Sequence, residues 1–138
     1  MRTKPTIAIT SLTCCEGCQI AILDLGERFF QLTDKLKIGD FALIEESADV
    51  GYYDVVFVEG TPITSENIQR LKNLRAKAKI LVTIGACACL GGIAELKNYQ
   101  DKTERLRYVY KNIEEIENPD IKPVSHYVKV DFEIPGCP

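Results

Sequence analysis

Short apolar runs alternate along the chain with stretches in which apolar side chains recur every third or fourth position. The first run, Thr6-Ile7-Ala8-Ile9-Thr10, predicts a buried strand over 5–11. Ile22, Leu25, Phe29 and Leu32 then share one side of a helical wheel, with Asp24, Glu27, Arg28 and Gln31 opposite, which predicts a helix near 18–32. Phe41-Ala42-Leu43-Ile44 and Val55-Val56-Phe57-Val58 read as brief buried strands separated by the turn-forming stretch 49–54. A second helix is expected at 64–77, with Ile68, Leu71 and Leu74 in register and Thr64 or Ser65 as its cap. A strand at 80–84 follows. A third helix is expected over 102–116, where Leu106, Val109, Tyr110, Ile113 and Ile116 share a face and Asp101 with Glu104 has capping-box spacing; Asn118-Pro119 should end it. The run Tyr127-Val128-Lys129-Val130-Asp131-Phe132 is the last predicted strand.

Strands alternating with amphipathic helices imply right-handed crossovers and a doubly wound α/β fold of flavodoxin-like type, its mainly parallel sheet covered on both sides. The 138 residues, 46% of them apolar, suit one domain spanning 1–138. A net charge of −3 with scattered lysines argues against binding nucleic acid through phosphate contacts. The densest basic stretch, Lys72, Arg75, Lys77 and Lys79, has the spacing of a solvated helix face. The opening Met1-Arg2-Thr3-Lys4-Pro5 runs directly into a strand without an export signal, and no segment approaches the roughly 18 apolar residues that cross a bilayer. A cytoplasmic protein is therefore expected, reaching a membrane only through partners.

The six cysteines change this picture, because they occupy only three places and each follows a predicted strand. Cys14, Cys15 and Cys18 follow the first, Cys87 and Cys89 the strand at 80–84, and Cys137 the last. Ligands of open parallel sheets collect beyond the carboxyl ends of the strands, so cysteines remote in sequence should meet there. A reducing cytosol disfavours structural disulfides, which leaves metal ligation or redox chemistry. Cys15-Glu16-Gly17-Cys18 can offer two sulfurs to one centre from a tight turn in which Gly17 permits unusual backbone angles. A helix beginning near Cys18 should favour thiolates and leave amides free to donate to cluster sulfur. Gly85-Ala86-Cys87-Ala88-Cys89 and Pro135-Gly136-Cys137-Pro138 surround their cysteines with small or rigid residues that let backbone approach a bulky group. Core packing explains Cys14 or Cys89 well but not the whole pattern. A zinc site is the sharper competitor, although zinc ribbons use two close pairs rather than one pair and two distant single cysteines.

These segments resemble the small, electron-transferring subunit of nickel–iron hydrogenases, which shares its cluster-binding domain with the 20-kilodalton-type subunit of respiratory NADH:quinone oxidoreductase. The resemblance lies in Cys15-Glu16-Gly17-Cys18, Gly85-Ala86-Cys87-Ala88 and Gly136-Cys137-Pro138, in that order across almost the whole chain. Val58-Glu59-Gly60 and the segment 123–131 are most similar to the delta subunit of cytosolic NAD(P)-linked sulfhydrogenases. The resemblance implies that Cys15, Cys18, Cys87 and Cys137 bind one [4Fe-4S] cluster, proximal to a nickel–iron site on a large partner subunit. It also implies further electron-transfer subunits, flavin- or NAD(P)-binding ones among them.

The chain would then be a subunit of an oxidoreductase without a complete active site of its own, passing electrons between the large subunit and downstream carriers. It has no dinucleotide fingerprint, nucleophile or obvious general base. Cys14 beside Cys15 matches the adjacent pair of quinone-reducing relatives, which leaves open a ligand set with Cys14 in place of Cys18 and a quinone-linked or membrane-bound hydrogenase as the alternative function. A zinc-stabilised interaction module is the remaining one. The family usually continues well beyond Gly-Cys-Pro, so a truncated or minimal single-cluster form is expected. Glu16, Glu59 and His126 read as solvated or structural groups, and the Phe29-Phe30 pair as core.

Overall fold

The computed structural model describes residues 3–41, 43–44 and 51–138. Among them, five parallel strands, β1 (Thr6–Ser11), β2 (Lys37–Phe41), β3 (Tyr53–Glu59), β4 (Ala78–Ile84) and β5 (Phe132–Ile134), form one sheet in the order β2-β1-β3-β4-β5. This is the strand order of flavodoxin-like folds, the class expected from the alternation of strands and helices. Side-chain alternation gives the sheet two dry faces. Ile7 and Ile9 meet Phe29, Phe41, Ile22 and Leu23 on one, where α1 (Gly17–Leu23) and α2 (Glu27–Thr33) pack. Ala8, Val56, Val58 and Leu81 meet Leu71 of α3 (Ser65–Lys77), Ala88 of α4 (Gly85–Leu90) and Val124 on the other.

The expected helix at 18–32 is divided. Gly26 adopts φ 56°, and α1 ends at Leu23 before α2 begins at Glu27. The apolar periodicity survives the break because both pieces turn the same side toward β1. Phe29 is buried while Phe30 is 69% exposed, so only one of the pair is core. Helix α3 matches its expected span, with Thr64 Oγ1 accepting from the Asn67 amide. The last helix, α5 (Lys102–Val109), carries the expected Asp101 cap on the Glu104 amide but buries no residue and stops at Tyr110, well short of 116. Without a buried face, a helix this short has little to prolong it.

Two strands are displaced from their expected places. β2 ends at Phe41; Leu43 and Ile44 lie in an exposed turn, and Ala42 falls outside the described residues, as does the opening of the turn expected at 49–54. The run 127–132 pairs only at its end, because Tyr127, Val128 and Val130 pack against the core cluster from a non-ladder segment instead. A short 3-10 turn, Val124–His126, precedes it. Neither α4 nor the 3-10 helix over Gly92–Tyr99 was expected: their small and mixed residues carry no helical stripe long enough to read.

Asp131 fastens β5 to the sheet. Its amide donates to Leu81 O (2.9 Å), its Oδ2 accepts from the Leu81 amide (2.8 Å), and Arg75 Nη1 reaches the same oxygen at 2.6 Å. Arg75 also donates to Ala78 O, so this residue of the supposed solvated face is a clamp between α3, β4 and the approach to β5. The Leu81 amide, then Arg75, holds the Asp131 carboxyl below the usual carboxylate range. A depressed folded-state value stabilises the fold above the unfolded carboxyl value near about 4, and that stabilisation disappears as pH falls through the folded value. Asp131→Asn is therefore expected to melt below the parent at neutral pH, with the gap closing in acid. Thermal melts of both proteins across an acid series check this, and a gap independent of pH would refute it.

Candidate metal centre

Parallel register aligns Ser11, Glu59, Ile84 and Ile134 in one row across the sheet. Cys14, Cys87 and Cys137 each stand three positions beyond that row, on the loops that leave β1, β4 and β5. The loop after β1 is sewn to the loop after β3. Thr13 and Thr61 exchange backbone hydrogen bonds (3.2 and 3.0 Å), and the Leu12 amide donates to Glu59 O (2.9 Å). A Cβ on Gly60, at φ 84°, would lie 2.7 Å from Thr13 O and 2.8 Å from Cys14 Cβ, so only glycine admits this approach.

The cysteine turn differs from expectation at its backbone. Glu16 is the residue in the left-handed region (φ 64°), and its carboxylate accepts from Gln19 Nε2. Gly17 serves by lacking a side chain: a Cβ there would lie 3.3 Å from Cys15 Sγ and 3.8 Å from Pro138 Cγ. The amides of Cys18 and Gln19, which open α1, donate to Glu59 Oε1 (3.1 Å) and Oε2 (3.3 Å). They are not free for cluster sulfur.

Beyond β4, Gly85 (φ 85°) opens α4, and a Cβ there would collide with Cys18 Sγ. The next amide, Ala86, donates to Gly136 O at 2.7 Å, which brings the Pro-Gly-Cys-Pro segment against the start of α4. Cys18 and Cys137 line one apolar groove of about 660 Å³ with Gly85 and Gly136. Cys87 lies in the first turn of α4, its Sγ 2.7 Å from where a Gly92 Cβ would be. Cys18 and Cys87 thus stand in the first turns of their helices, and Cys89 next to the end of α4. Cys89 is buried with Sγ 3.3 Å from Thr83 Oγ1 and is a packing residue.

The electrostatics also depart from the sequence. Burial pushes the Cys18 thiol from 9.0 up to about 12, with Glu59, Cys15 and Cys137 adding to it. Burial likewise pushes Cys14 up to about 12, with Glu59 and Glu16 adding and the Glu16 amide opposing. Desolvation and nearby carboxylates outweigh the opening of a seven-residue helix, so metal loading has to displace the Cys18 proton. Cys14 Sγ, Glu16 and Glu59 present ligand atoms within 4.8 Å of one another. Glu59 is only 2% exposed, not a solvated carboxylate. The available signal was a charged residue closing an apolar strand. His126 is exposed and packs edge-on against Tyr127, 5.0 Å between ring centres.

Thiols carried on three loops from one sheet edge suit an iron–sulfur cluster. Four thiolates on one zinc at about 2.3 Å would stand about 3.8 Å apart. Among the described residues, no three cysteines come within 4.8 Å of one another. Glycines flank the sulfurs of Cys15, Cys18 and Cys87, leaving backbone-lined space on their approach.

The family described as NADH ubiquinone oxidoreductase, 20 Kd subunit, matches residues 15–138. A vhu subunit of the F420-non-reducing hydrogenase from Methanocaldococcus jannaschii is 33% identical over 96% of this chain and 50% of its own length. The delta subunit of sulfhydrogenase 2 from Pyrococcus furiosus is 32% identical over 96% of this chain and 55% of its own. The chain spans about half the length of these curated relatives. The crystal structure of an NAD+-reducing [NiFe]-hydrogenase in the H2-reduced state superposes with a TM-score of 0.87 at 29% identity, covering 99% of this chain and 84% of that one. A reduced, active Ni-Fe-Se hydrogenase from Desulfomicrobium baculatum shares the fold, with a TM-score of 0.67 at 15% identity over 99% of this chain and 57% of its own. Family match, parallel topology and cysteine-bearing loops agree: the chain belongs to the NADH ubiquinone oxidoreductase 20 Kd subunit family.

Proposed function

We propose that this chain is the electron-transfer subunit of a nickel–iron hydrogenase, a single domain over 1–138 that holds one proximal [4Fe-4S] cluster through Cys15, Cys18, Cys87 and Cys137. The observation that carries the proposal is the meeting of loops from β1, β4 and β5 at one sheet edge, with Cys18 Sγ against Gly85 and the Ala86 amide on Gly136 O. When bound, the cluster supplies one-electron redox chemistry. The protein's part is to supply the thiols, keep water from one side with the apolar residues around Cys18 and Cys137, and set local charge. A large nickel–iron subunit and further electron-transfer subunits, flavin- or NAD(P)-binding ones among them, are the proposed partners in the cytoplasm. No helix among the described residues is long and apolar enough to cross a membrane.

Cys18 is preferred to Cys14 because its sulfur lies against Gly85 in the groove it shares with Cys137, whereas the Cys14 sulfur lies with the Glu16 and Glu59 carboxylates. That preference favours the hydrogenase role over the quinone-linked one, and the sulfur spacing disfavours a zinc module.

Anaerobic purification with metal analysis, and electron paramagnetic resonance after reduction, should give about four irons per chain and a reduced-cluster signal; one zinc and no signal would eliminate the proposal. Serine at position 15, 18, 87 or 137 should each lower iron content severalfold, and Cys14→Ser should leave it unchanged. Loss through Cys14 with retention in Cys18→Ser would exchange the two assignments. Gly85→Ala, strained at positive φ and pressed on Cys18 Sγ, should cost about 1–3 kcal/mol of stability and reduce cluster loading. Gly51→Ala, which meets nothing within 4 Å, should do neither; equal behaviour of the two variants would separate Gly85 from the site.

A further inference from the structure

Helix α1 is seven residues long, and its N-cap Glu16 takes none of the opening amides: its side chain accepts from the Gln19 side chain instead. A helix this short does not hold its first turn by itself. The cap comes from 40 residues away: Glu59 Oε1 and Oε2 take the Cys18 and Gln19 amides. Glu59 is held in turn. It closes β3 in the row Ser11–Glu59–Ile84, its carbonyl accepts from Leu12, and Gly60 behind it lets the Thr13–Cys14 turn close down. The place of Cys18 is therefore set by the central strand of the sheet.

The same side chain has 98% of its surface out of solvent, and both its oxygens are engaged as acceptors of those two amides. Buried acceptors held from the central strand leave the turn little freedom to move away from them.

We propose that Glu59 is a positioning residue of the metal centre: its carboxylate fixes the Cys15–Cys18 turn from β3 and so holds Cys18 where the cluster is ligated. The proposal rests on the cluster assignment above. Reach and hydrogen bonding are separable by substitution. Glu59→Gln keeps the size and one acceptor oxygen. Glu59→Asp keeps both acceptor oxygens but withdraws them by one methylene.

The test uses the full-length protein purified anaerobically with its partners. Iron per folded chain is measured, together with the reduced-state paramagnetic signal and the melting temperature. Glu59→Asp is expected to lose iron severalfold, and Glu59→Gln to retain more iron than Glu59→Asp because one amide keeps its acceptor at full reach. A fully loaded Glu59→Asp protein overturns the positioning role. If Glu59→Gln does not accumulate, the Asp variant still decides, because a residue needed only for folding would lower the melting temperature without changing iron per folded chain. Absence of a cluster from the parent itself would instead strike the function proposed above and would not depend on Glu59.

Discussion

Parallel pairing of β1, β3, β4 and β5 is the constraint from which the rest of the molecule follows. It sets Ser11, Glu59, Ile84 and Ile134 in one row, so that every loop leaving the sheet in this direction starts from the same edge. Three such loops carry the cysteines, and the fourth begins with Gly60 immediately after the buried Glu59. Remote sequence becomes local chemistry because strand direction, not chain order, decides which ends are neighbours.

That edge closes only where side chains are absent. Gly60 admits the Thr13–Cys14 turn, Gly85 admits Cys18 Sγ, and Gly92 admits Cys87 Sγ; in each case a methyl group would meet an atom nearer than van der Waals contact permits. The resulting space is bordered by backbone and sulfur, with an apolar groove beyond Cys18 and Cys137. On the far side, the clamp of Arg75 and Asp131 holds the three-residue β5 in register and so determines where Cys137 emerges. Desolvation dominates the thiol electrostatics and favours the protonated form of Cys14 and Cys18. The helix-end effect anticipated there is overridden because Glu59 occupies the amides that would have expressed it.

The long-range features of the fold were legible because each rests on a repeated pattern. The apolar strands at 55–58 and 80–84, the amphipathic α3 and the caps at Thr64 and Asp101 all lie where their residues indicate. The errors have a common cause. The helix at 18–32 was one stripe that a single glycine cut in two, and the run 127–132 kept its apolar face while losing its ladder. Periodicity reports which side of a segment is dry, not which backbone conformation delivers it. The six-residue α4 lay below the length at which a helical period can be recognised.

By itself, the sequence determined the α/β class, the doubly wound topology and the three places where cysteine follows a strand, since these depend on residue types and local spacing. Tertiary structure decided the environment of the sulfurs. It buried Glu59, gave it the amides of a helix 40 residues distant, raised Cys18, and separated Cys89 as a core residue from Cys87 two positions before it. Burial and charge at a site are sums over neighbours from every strand at once, and no single stretch of chain contains that sum.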